Sequence, residues 1–594
     1  MSTLFHKLTR TMGATTAILG AAATYRYQQL LEQDERSLPS NEWNVLPTTA
    51  PAADDDDGRR RRRRPQEKPQ RVIIIGGGVV GLATAYKLAL RNHQVVVLEA
   101  NEKVGQECSA CAAGGMQRSN PVVDYNTWKA VLQSIIFKLP WQKEEHYEFF
   151  RMDWWTTLTD PFFLRWVTTF TQTSLWPSTQ QEAKQIDMLN FTNYAVNDMI
   201  RLMKNSPEMA KHSGFNPTGS LTLSYDAKYA NNNNNNNNKP QSAPGKSSTS
   251  NNPTSSKRNF EPHRFLLSSN EITQTEPSIQ EQSPLPTAAK FEYEASAASA
   301  ERFTLELAKW MTTNNNTTTK GWSLFSSSSS SLSDRVAIHT NTRVEGICTA
   351  PSANNNNNNN NNGNNKKKKK ITALRTNHGV IHIPDDVHIV VAAGAWTPRI
   401  LALADLYVPV YPLKGYALSV SAKHANQMGI HNLPTRIVAD KYMFTSRLGA
   451  DEIRITSIGE FSGWSTAPTP RVDANFRRQA GIQFPQLIPL IQQAKTRCGH
   501  RPYVADGILL LGSCGSHDND DGGVCERLYV SCGPGSNGWK LALGSGEVVA
   551  RLVSGESVDK ISQDLQVTVA TFAPTGRVVE SPLFAKLCRA RWNV

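Results

Sequence analysis

Hydrophobic positions change their spacing twice between residues 71 and 100. Val72–Ile75 is a short β-branched run typical of a buried parallel strand, and Val79–Leu90 carries apolar residues at helical spacing. Gln94–Leu98 is a second buried run, and it stops at the acidic residue Glu99. This order predicts a strand–helix–strand unit, in which two parallel strands are joined by a crossover helix.

The rest of the chain alternates helix and strand at both ends and is richer in strands in the middle. The pattern predicts helices at Ala300–Trp310 and Pro485–Ala494, and strands at Ser220–Ser224, Val336–His339, Val344–Ile347, Val387–Ala392, Tyr407–Val420, Arg454–Ile458 and Leu528–Ser531. A helical, aromatic-rich region runs from Trp128 to about Leu202. Its tryptophans are either core residues or a face that docks on a membrane surface, since tryptophan favours that interface.

Low-complexity tracts interrupt these elements. Residues 231–238 are all asparagine, 354–365 are asparagine around one glycine, 326–331 are serine and 366–370 are lysine. Such tracts bury too little apolar surface to offset the entropy lost on ordering, so we interpret them as disordered surface loops. The remaining sequence suits one large two-domain enzyme better than several small modules.

The net charge of +13 is concentrated in short runs. Arg59–Arg64 and Lys366–Lys370 supply most of it, and Asp54–Asp57 offset part of it. The folded body is therefore only mildly basic, and no nucleic-acid partner is predicted. Arg59–Arg64 belongs to a solvated linker, or it contacts acidic surfaces or a membrane.

The N-terminal residues have the composition of a targeting segment. No acidic residue precedes Glu32, whereas Lys7, Arg10 and Arg26 stand among hydroxyl and small apolar residues. A mitochondrial targeting signal is favoured, with peripheral association of the protein with the inner membrane. A signal peptide, a signal anchor and a plastid targeting signal are the alternatives. The apolar stretch from Met12 is too short to predict a membrane-spanning helix.

Eight cysteines are scattered without the spacing of a disulfide scaffold. Cys108 and Cys111 have CxxC spacing, but no second pair follows that would complete a zinc site. We therefore predict no metal site, and a reducing compartment.

Three glycines follow the first strand. Gly76, Gly78 and Gly81 fit G-x-G-x-x-G: the first allows a sharp turn, the second a close approach to a pyrophosphate, and the third tight packing of helix on strand. The helix then offers free N–H groups and a partial positive charge to phosphates. Glu99 stands where a carboxylate accepts both ribose hydroxyls, so a dinucleotide without a 2′-phosphate, FAD or NAD, is predicted.

Two further segments favour a flavin. GQECSACAAGGM (105–116) is a small-residue loop along which a bulky cofactor can lie, and its Ser109 can hydrogen-bond a phosphate. SCGPGSNGWKLALGSG (531–546) is a glycine-rich turn that enters a helix, whose N–H groups can face the electron-rich edge of a reduced flavin. The alternative for this second segment is an ordinary capped helix.

Together these segments resemble FAD-dependent amine and amino-acid oxidoreductases of the D-amino-acid oxidase superfamily. VPVYPLKGYALSV (408–420) and GHRPYVADGILLLG (499–512) are similar to segments of bacterial D-amino-acid dehydrogenase of the small-subunit type, with glycine oxidase as a neighbour. VAAGAWTPRIL (391–401), TGSLTL (218–223) and KYMFTSRLGADEIRI (441–455) also follow the family's order. The resemblance covers residues 71 to about 560. The chain departs from the dehydrogenase branch at Ala112, Ala298-Ser299 and Cys498.

The resemblance implies roles for individual residues. Arg501 pairs with a substrate carboxylate, which a planar guanidinium grips through two parallel hydrogen bonds. Tyr442 assists substrate binding, and Lys414, Gly415 and Tyr416 line the cavity near the flavin. The implied cofactor contacts are Val344 at the adenine, Gly394 after a strand, and Gly535, Ser536, Asn537, Gly538 and Trp539 along the flavin ring.

The resemblance implies an enzyme that uses FAD to oxidise an amino acid, most favourably a D-amino acid. Hydride passes from the α-carbon to flavin N5, and the imino acid hydrolyses to a keto acid and ammonia. The electron acceptor is quinone-like or oxygen. The alternatives are oxidation of N-methylated amino acids or 2-hydroxy acids, and a non-catalytic flavoprotein with a role in organelle assembly.

The predicted fold class is α/β, with a discontinuous Rossmann-like FAD-binding domain and an α+β substrate domain that contains a mostly antiparallel sheet. The FAD-binding domain is assigned to residues 71–130, 336–404 and 498–562. The substrate domain is assigned to 131–335 and 405–497, with insertions at 227–258, 313–333 and 351–370. Residues 1–36 are the targeting segment, 37–70 a disordered charged linker, and 563–594 a C-terminal extension.

Overall fold

The computed structural model describes residues 69–118, 150–174, 179–225, 263–266, 268–312, 332–352, 368–440, 443–515 and 524–592. The predicted targeting segment, almost all of the charged linker, most of the low-complexity insertions and Tyr442 lie outside these residues.

The helices follow apolar stripes and begin and end near the predicted positions where the prediction covered them. In the described residues they are α1 (Val79–Ala89), α2 (Trp154–Leu158), α3 (Pro161–Ser174), α4 (Thr179–Asn205), α5 (Pro207–Ser213), α6 (Ser269–Thr275), α7 (Ala300–Thr312), α8 (Thr397–Ala402), α9 (Ala422–Gln427), α10 (Pro470–Gln483), α11 (Ile488–Gln493), α12 (Gly538–Val553), α13 (Val558–Leu565) and α14 (Pro582–Trp592).

The strands form two large sheets and three small ones. They are β1 (Arg71–Ile75), β2 (Gln94–Leu98), β3 (Gly115–Met116), β4 (Phe150–Met152), β5 (Ser220–Ser224), β6 (His263–Leu266), β7 (Ala288–Glu292), β8 (Ser296–Ala297), β9 (Val336–His339), β10 (Val344–Pro351), β11 (Lys369–Thr376), β12 (Gly379–His382), β13 (Val387–Val391), β14 (Leu406–Tyr407), β15 (Val410–Ser421), β16 (Ile437–Ala439), β17 (Met443–Leu448), β18 (Glu452–Phe461), β19 (Arg497–Val504), β20 (Leu510–Ser513), β21 (Cys525–Glu526), β22 (Leu528–Cys532) and β23 (Val579–Glu580).

A six-stranded sheet has the order β20-β22-β13-β1-β2-β9, and all its neighbours are parallel except the pair β20–β22. β1 is buried on both faces because its side chains alternate between two cores. Val72 and Ile74 pack with helices α1, α4, α7 and α12, whereas Ile73 and Ile75 pack with the small sheet β10-β11-β12. Its strands come from distant parts of the chain, so the predicted discontinuous Rossmann-like architecture is confirmed.

A nine-stranded sheet has the order β19-β15-β18-β17-β16-β5-β7-β6, with β4 beside β18. Its pairs are antiparallel except β16–β5 and β18–β4, which confirms the predicted mostly antiparallel sheet. β19 pairs with β15 along its whole length. By hydrogen bonding it therefore belongs to this sheet, although most of its residues fall within the segment 498–562 that was assigned to the FAD-binding domain.

Within the described residues, the aromatic region contains at least one tryptophan of the core, while docking on a membrane stays a prediction. Trp166 is 3% exposed, stacks on Phe170 with ring centroids 4.9 Å apart and donates its indole N–H to Tyr503 O, so it is a core residue. Trp155 is 82% exposed and does not belong to that core. Within the described part of the chain, no helix is both long and apolar enough to cross a membrane.

Candidate active site

One cavity of about 890 Å³ runs along the carboxyl ends of the parallel strands and reaches the nine-stranded sheet. Ile75, Leu98, Ala392 and Cys532, at or just after the ends of β1, β2, β13 and β22, all line it. Ligands of open parallel sheets bind at this edge, because the strand ends and helix N-termini converge there. The volume lies in the range of about 300–1,000 Å³ typical of ligand pockets.

The glycine motif begins the cavity wall. Gly76 has φ +113°, and a Cβ there would lie 2.6 Å from Ala392 O. Gly76 and Gly78 line the cavity. Gly81 is not among the described lining residues, because it packs the helix on the strand: its Cβ would come within 2.0 Å of Gly76 O. The structure thus shows the sharp turn at Gly76 and the tight packing at Gly81, while the approach of Gly78 to a pyrophosphate stays a prediction.

The N-terminus of α1 faces the cavity beside Ser109. Gly78 occupies the N-cap position without a side-chain cap, and Val79 N donates a hydrogen bond of 3.1 Å to Ser109 Oγ. The Ser109 hydroxyl proton stays available for a second acceptor, such as a phosphate oxygen. Ser109 therefore lies where the sequence predicted a phosphate contact, although its oxygen also caps the helix.

Glu99 lies in the cavity at the end of β2 and is 7% exposed. Its Oε2 accepts from Gly77 N (2.6 Å), and its Oε1 accepts from Asn101 N (2.9 Å) and Asn101 Nδ2 (2.7 Å). A carboxylate has about four acceptor sites, so Oε2 keeps capacity for a further donor. This geometry suits one ribose hydroxyl better than the two that the sequence predicted.

The remaining predicted cofactor contacts also line this cavity. They are Val344 at the start of β10, Gly394 after β13, and Gly535, Ser536, Asn537, Gly538 and Trp539 at the N-terminus of α12. Trp539 Nε1 donates to Gly114 O (3.0 Å), which joins α12 to the loop before β3. The structure thus brings together two segments that are more than 400 residues apart.

Arg501 enters the cavity from β19. Leu413 is its partner on the neighbouring strand β15, and a Cβ on Gly415 would lie 2.6 Å from Arg501 Cζ. The absence of a side chain at Gly415 therefore makes room for the guanidinium. Arg501 Nη2 also donates to Ser457 O at 3.5 Å, a long hydrogen bond. The half-buried Arg501 side chain thus lines the same cavity as the flavin-side segments, and its contact with a carboxylate stays a prediction.

Lys414 and Tyr416 were predicted to line the cavity, and the structure shows that they do not belong to its described lining. Among the described lining residues the segment contributes Gly415 alone, because successive residues of β15 point to opposite faces. Tyr416 is buried and donates to Glu460 Oε2 (2.6 Å), and Lys414 Nζ lies 2.9 Å from the same oxygen. Burial, with a smaller effect of Glu460, raises the pKa of Tyr416. Tyr442 lies outside the described residues, and its role stays a prediction.

The thiol of Cys108, which lies near Arg501, is uncharged near pH 7. Burial raises the pKa of Cys108 to about 12, Cys111 adds to the shift, and Arg501 opposes it. Burial also raises the pKa of Cys111. Burial lowers the pKa of His500 to about 4, although its hydrogen bond to Ser465 O favours the charged form. The Arg501 guanidinium is therefore close to one uncharged thiol, whereas the side chain of His500, the preceding residue on β19, points to the opposite face of the strand.

Several polar residues of the cavity carried no sequence signal strong enough to single them out. They are Glu107, Arg343, Arg399, Asp440, Lys540 and Arg589. Burial raises the pKa of Glu107, while a hydrogen bond from Trp396 opposes the shift and Glu99 adds to it. Glu107 and Lys540 lie inside the two glycine-rich segments that the sequence analysis assigned to the cofactor. Their charge within those segments was the only indication that they line the cavity. Arg589 had none.

Lys540 predicts a measurable pH dependence of stability. Burial lowers its pKa to about 8, and Glu292 opposes the shift. An unfolded lysine has a pKa of about 10.4, so the folded protein binds fewer protons between these values and its stability rises with pH there. In urea unfolding of the full chain without FAD, we expect wild type to gain about 1–2 kcal/mol over Lys540→Met between pH 8 and 9.5. A constant difference between the two proteins would contradict the shift.

Comparison with known proteins identifies the family. The family described as FAD dependent oxidoreductase matches residues 71–552. A D-amino acid dehydrogenase from Vibrio atlanticus is 30% identical over 179 residues, which are 30% of this chain and 39% of that protein. One from Methylobacterium nodulans is 32% identical over 198 residues, 33% of this chain and 42% of that protein. The matched part thus spans about two-fifths of these relatives' length.

Solved structures similar to this chain include a glycine oxidase and an L-amino acid deaminase. A glycine oxidase from Bacillus cereus is 15% identical, with a TM-score of 0.46, and the match covers 83% of this chain and 97% of that one. An L-amino acid deaminase from Proteus myxofaciens is 13% identical, with a TM-score of 0.48 and coverage of 85% and 93%.

The family match begins at Arg71, the first residue of β1, and ends within α12. It therefore includes the glycine motif, Glu99, Arg501 and the segment at the N-terminus of α12. Of the two dinucleotides that the motif allowed, FAD is the one confirmed, and the cavity residues fit it. The chain belongs to the family of FAD-dependent oxidoreductases.

Proposed function

We propose that this protein oxidises the carbon–nitrogen bond of an amino acid, most favourably a D-amino acid. The α-carbon loses hydride, the amine lone pair forms the C=N bond, and water converts the imino acid to a keto acid and ammonia. The observation that carries the proposal is the guanidinium of Arg501 in the cofactor cavity. The relatives named D-amino acid dehydrogenase favour this substrate class.

Arg501 fixes the substrate by its carboxylate. Its position on β19 is set by pairing with β15, and Gly415 leaves room for it. Two parallel hydrogen bonds from a guanidinium orient a carboxylate as well as hold it. The α-carbon, one bond away, is then held in the cavity, where the bound flavin supplies the hydride acceptor.

The walls around this position favour the neutral amine that the reaction needs. Met443 is 3% exposed, and Phe444, Trp396 and the uncharged thiols of Cys108 and Cys111 line the same cavity. An apolar, water-poor site disfavours the ammonium form. His500 Nε2 is engaged with Ser465 O, so we assign His500 no role as a base, and the residues of the cavity wall act by position and desolvation.

The electron acceptor is proposed to be quinone-like or oxygen. We also propose a mitochondrial location with peripheral membrane association, on the composition of residues 1–36. Fluorescence microscopy of the full chain with a C-terminal fluorescent tag, compared with a chain that starts at residue 37, tests the location. Identical distributions of the two proteins would contradict it.

Anaerobic bleaching of the flavin tests the substrate class. The purified full chain is mixed without oxygen with D-amino acids, L-amino acids, sarcosine and 2-hydroxy acids in turn, and flavin absorbance is followed. We expect bleaching by D-amino acids and release of ammonia. Bleaching by sarcosine or by hydroxy acids alone would favour the alternative substrates, and a yellow protein that no compound bleaches would contradict the proposed oxidation.

A further inference from the structure

The adenosine end of the cavity can be located from Glu99. Thr342 N donates to Glu99 O (2.7 Å), and Asn341 N donates to Asn101 O (2.8 Å). The segment 341–344 therefore lies directly beside the carboxylate that is expected to meet the ribose. Val344 follows on this side, whereas Arg501 lies on β19 of the other sheet.

The wall beyond Val344 is built from the C-terminal half of the chain. Ile400 and Leu403, on and just after α8, pack against the core cluster that contains Val344, and both line the cavity. Arg589 of α14 also lines the cavity, beside this helix. α14 lies beyond residue 552, where the family match ends. A segment outside the family match thus reaches the cofactor cavity.

Arg589 is held in one place. Its Nη1 donates to Ala402 O and to Asp405 Oδ1 (3.1 Å), and its Nη2 donates to the same Oδ1 (3.1 Å). The side chain is 20% exposed. A guanidinium that is already ordered loses little entropy when it meets a ligand, and its planar face stacks on aromatic rings.

The helix that carries Arg589 is itself anchored. Ala585 and Cys588 are 0% exposed and belong to one core cluster with Phe162 and Tyr407. The ring of Phe584 packs edge-on against Phe162, with centroids 5.0 Å apart. The position of α14 therefore follows from buried apolar contacts that do not depend on a ligand.

We propose that α14 completes the adenosine half of the FAD site and that Arg589 is its contact residue. Arg589 contacts the adenine through the planar guanidinium, while Asp405 neutralises its charge. The proposal rests on FAD lying in the cavity with its ribose at Glu99, and it is independent of the substrate. It gives the C-terminal extension a role in cofactor retention.

Binding of half-cofactors tests the proposal. FAD is removed from the full chain, and the dissociation constants of FAD, ADP and FMN are measured by calorimetry for wild type, Arg589→Ala and Arg589→Lys. ADP carries the adenosine half, and FMN carries the flavin half. We expect Arg589→Ala to weaken FAD and ADP by roughly tenfold, as loss of a cation–π or stacking contact does, and to leave FMN unchanged.

Two comparisons keep the result interpretable. Lys586→Ala, on an exposed position of the same helix, is the matched control and is expected to bind all three ligands as wild type does. Arg589→Lys keeps the positive charge beside Asp405 but loses the planar guanidinium group. It therefore tests the contact with the adenine even if the alanine variant unfolds. FAD and ADP affinities unchanged in both variants, or FMN weakened as much as ADP, would overturn the role of Arg589. A wild-type chain that binds no FAD would overturn the cofactor assignment instead.

Discussion

Arg501→Leu is expected to raise KM for the amino-acid substrate by about 100- to 1,000-fold, because it removes a charge-assisted, two-point contact with the carboxylate. The flavin is expected to remain bound, since Arg501 lies on β19 and the glycine motif lies on β1 and α1. Steady-state oxidation with a dye as electron acceptor gives KM, and the flavin absorbance per protein gives the occupancy.

Two other variants serve as controls for Arg501→Leu. Arg501→Lys keeps the positive charge but loses the two parallel N–H donors of the guanidinium. Its KM is therefore expected to lie between the KM of wild type and that of the leucine variant. Arg497→Leu removes an arginine four residues earlier on the same strand, where the side chain pairs with Glu301 and does not belong to the described cavity lining. Wild-type KM in the leucine variant, or an equal rise in Arg497→Leu, would remove Arg501 from the substrate site.

Gly78→Ala is expected to weaken FAD binding by about two orders of magnitude while the FAD-free protein keeps its stability. A Cβ on Gly78 meets nothing closer than Ser109 Oγ at 3.6 Å, and the residue has φ −72°, so alanine fits the FAD-free protein. The added methyl group occupies the space where the diphosphate approaches the backbone. Calorimetric titration with FAD and urea unfolding without FAD measure the two effects.

Gly81→Ala is the contrasting variant. Its Cβ would lie 2.0 Å from Gly76 O, so helix and strand must separate, and we expect a loss of about 1–3 kcal/mol of unfolding free energy together with FAD binding. If Gly78→Ala binds FAD with wild-type affinity, the diphosphate does not lie against α1. If Gly81→Ala is as stable as wild type, the close packing of α1 on β1 is not required.

Local pattern predicted the first strand–helix–strand unit most closely. β1, α1 and β2 begin and end within one residue of the predicted positions. The order of apolar runs, glycines and an acidic residue within this short segment is sufficient to specify the unit. The pattern missed α10 and the strands β16 and β20, where short apolar stretches carry no clear period. For β16, pairing with the distant strand β5 outweighs local preference.

The sequence by itself determined that this chain has a dinucleotide-binding strand–helix–strand unit, and its resemblance to a family of oxidoreductases implied Arg501 as the residue for a carboxylate. The unit could be predicted because it depends on backbone conformation and residue chemistry within one short segment. The tertiary structure alone decided which face of β15 meets the cavity, so that Gly415 lines it and Tyr416 does not. It also decided that Arg589, near the C-terminal end of the described chain, lines the same cavity. Both outcomes depend on contacts between segments far apart in the chain. The local sequence shows which face of an element is apolar, but it does not show which distant segment packs against that face.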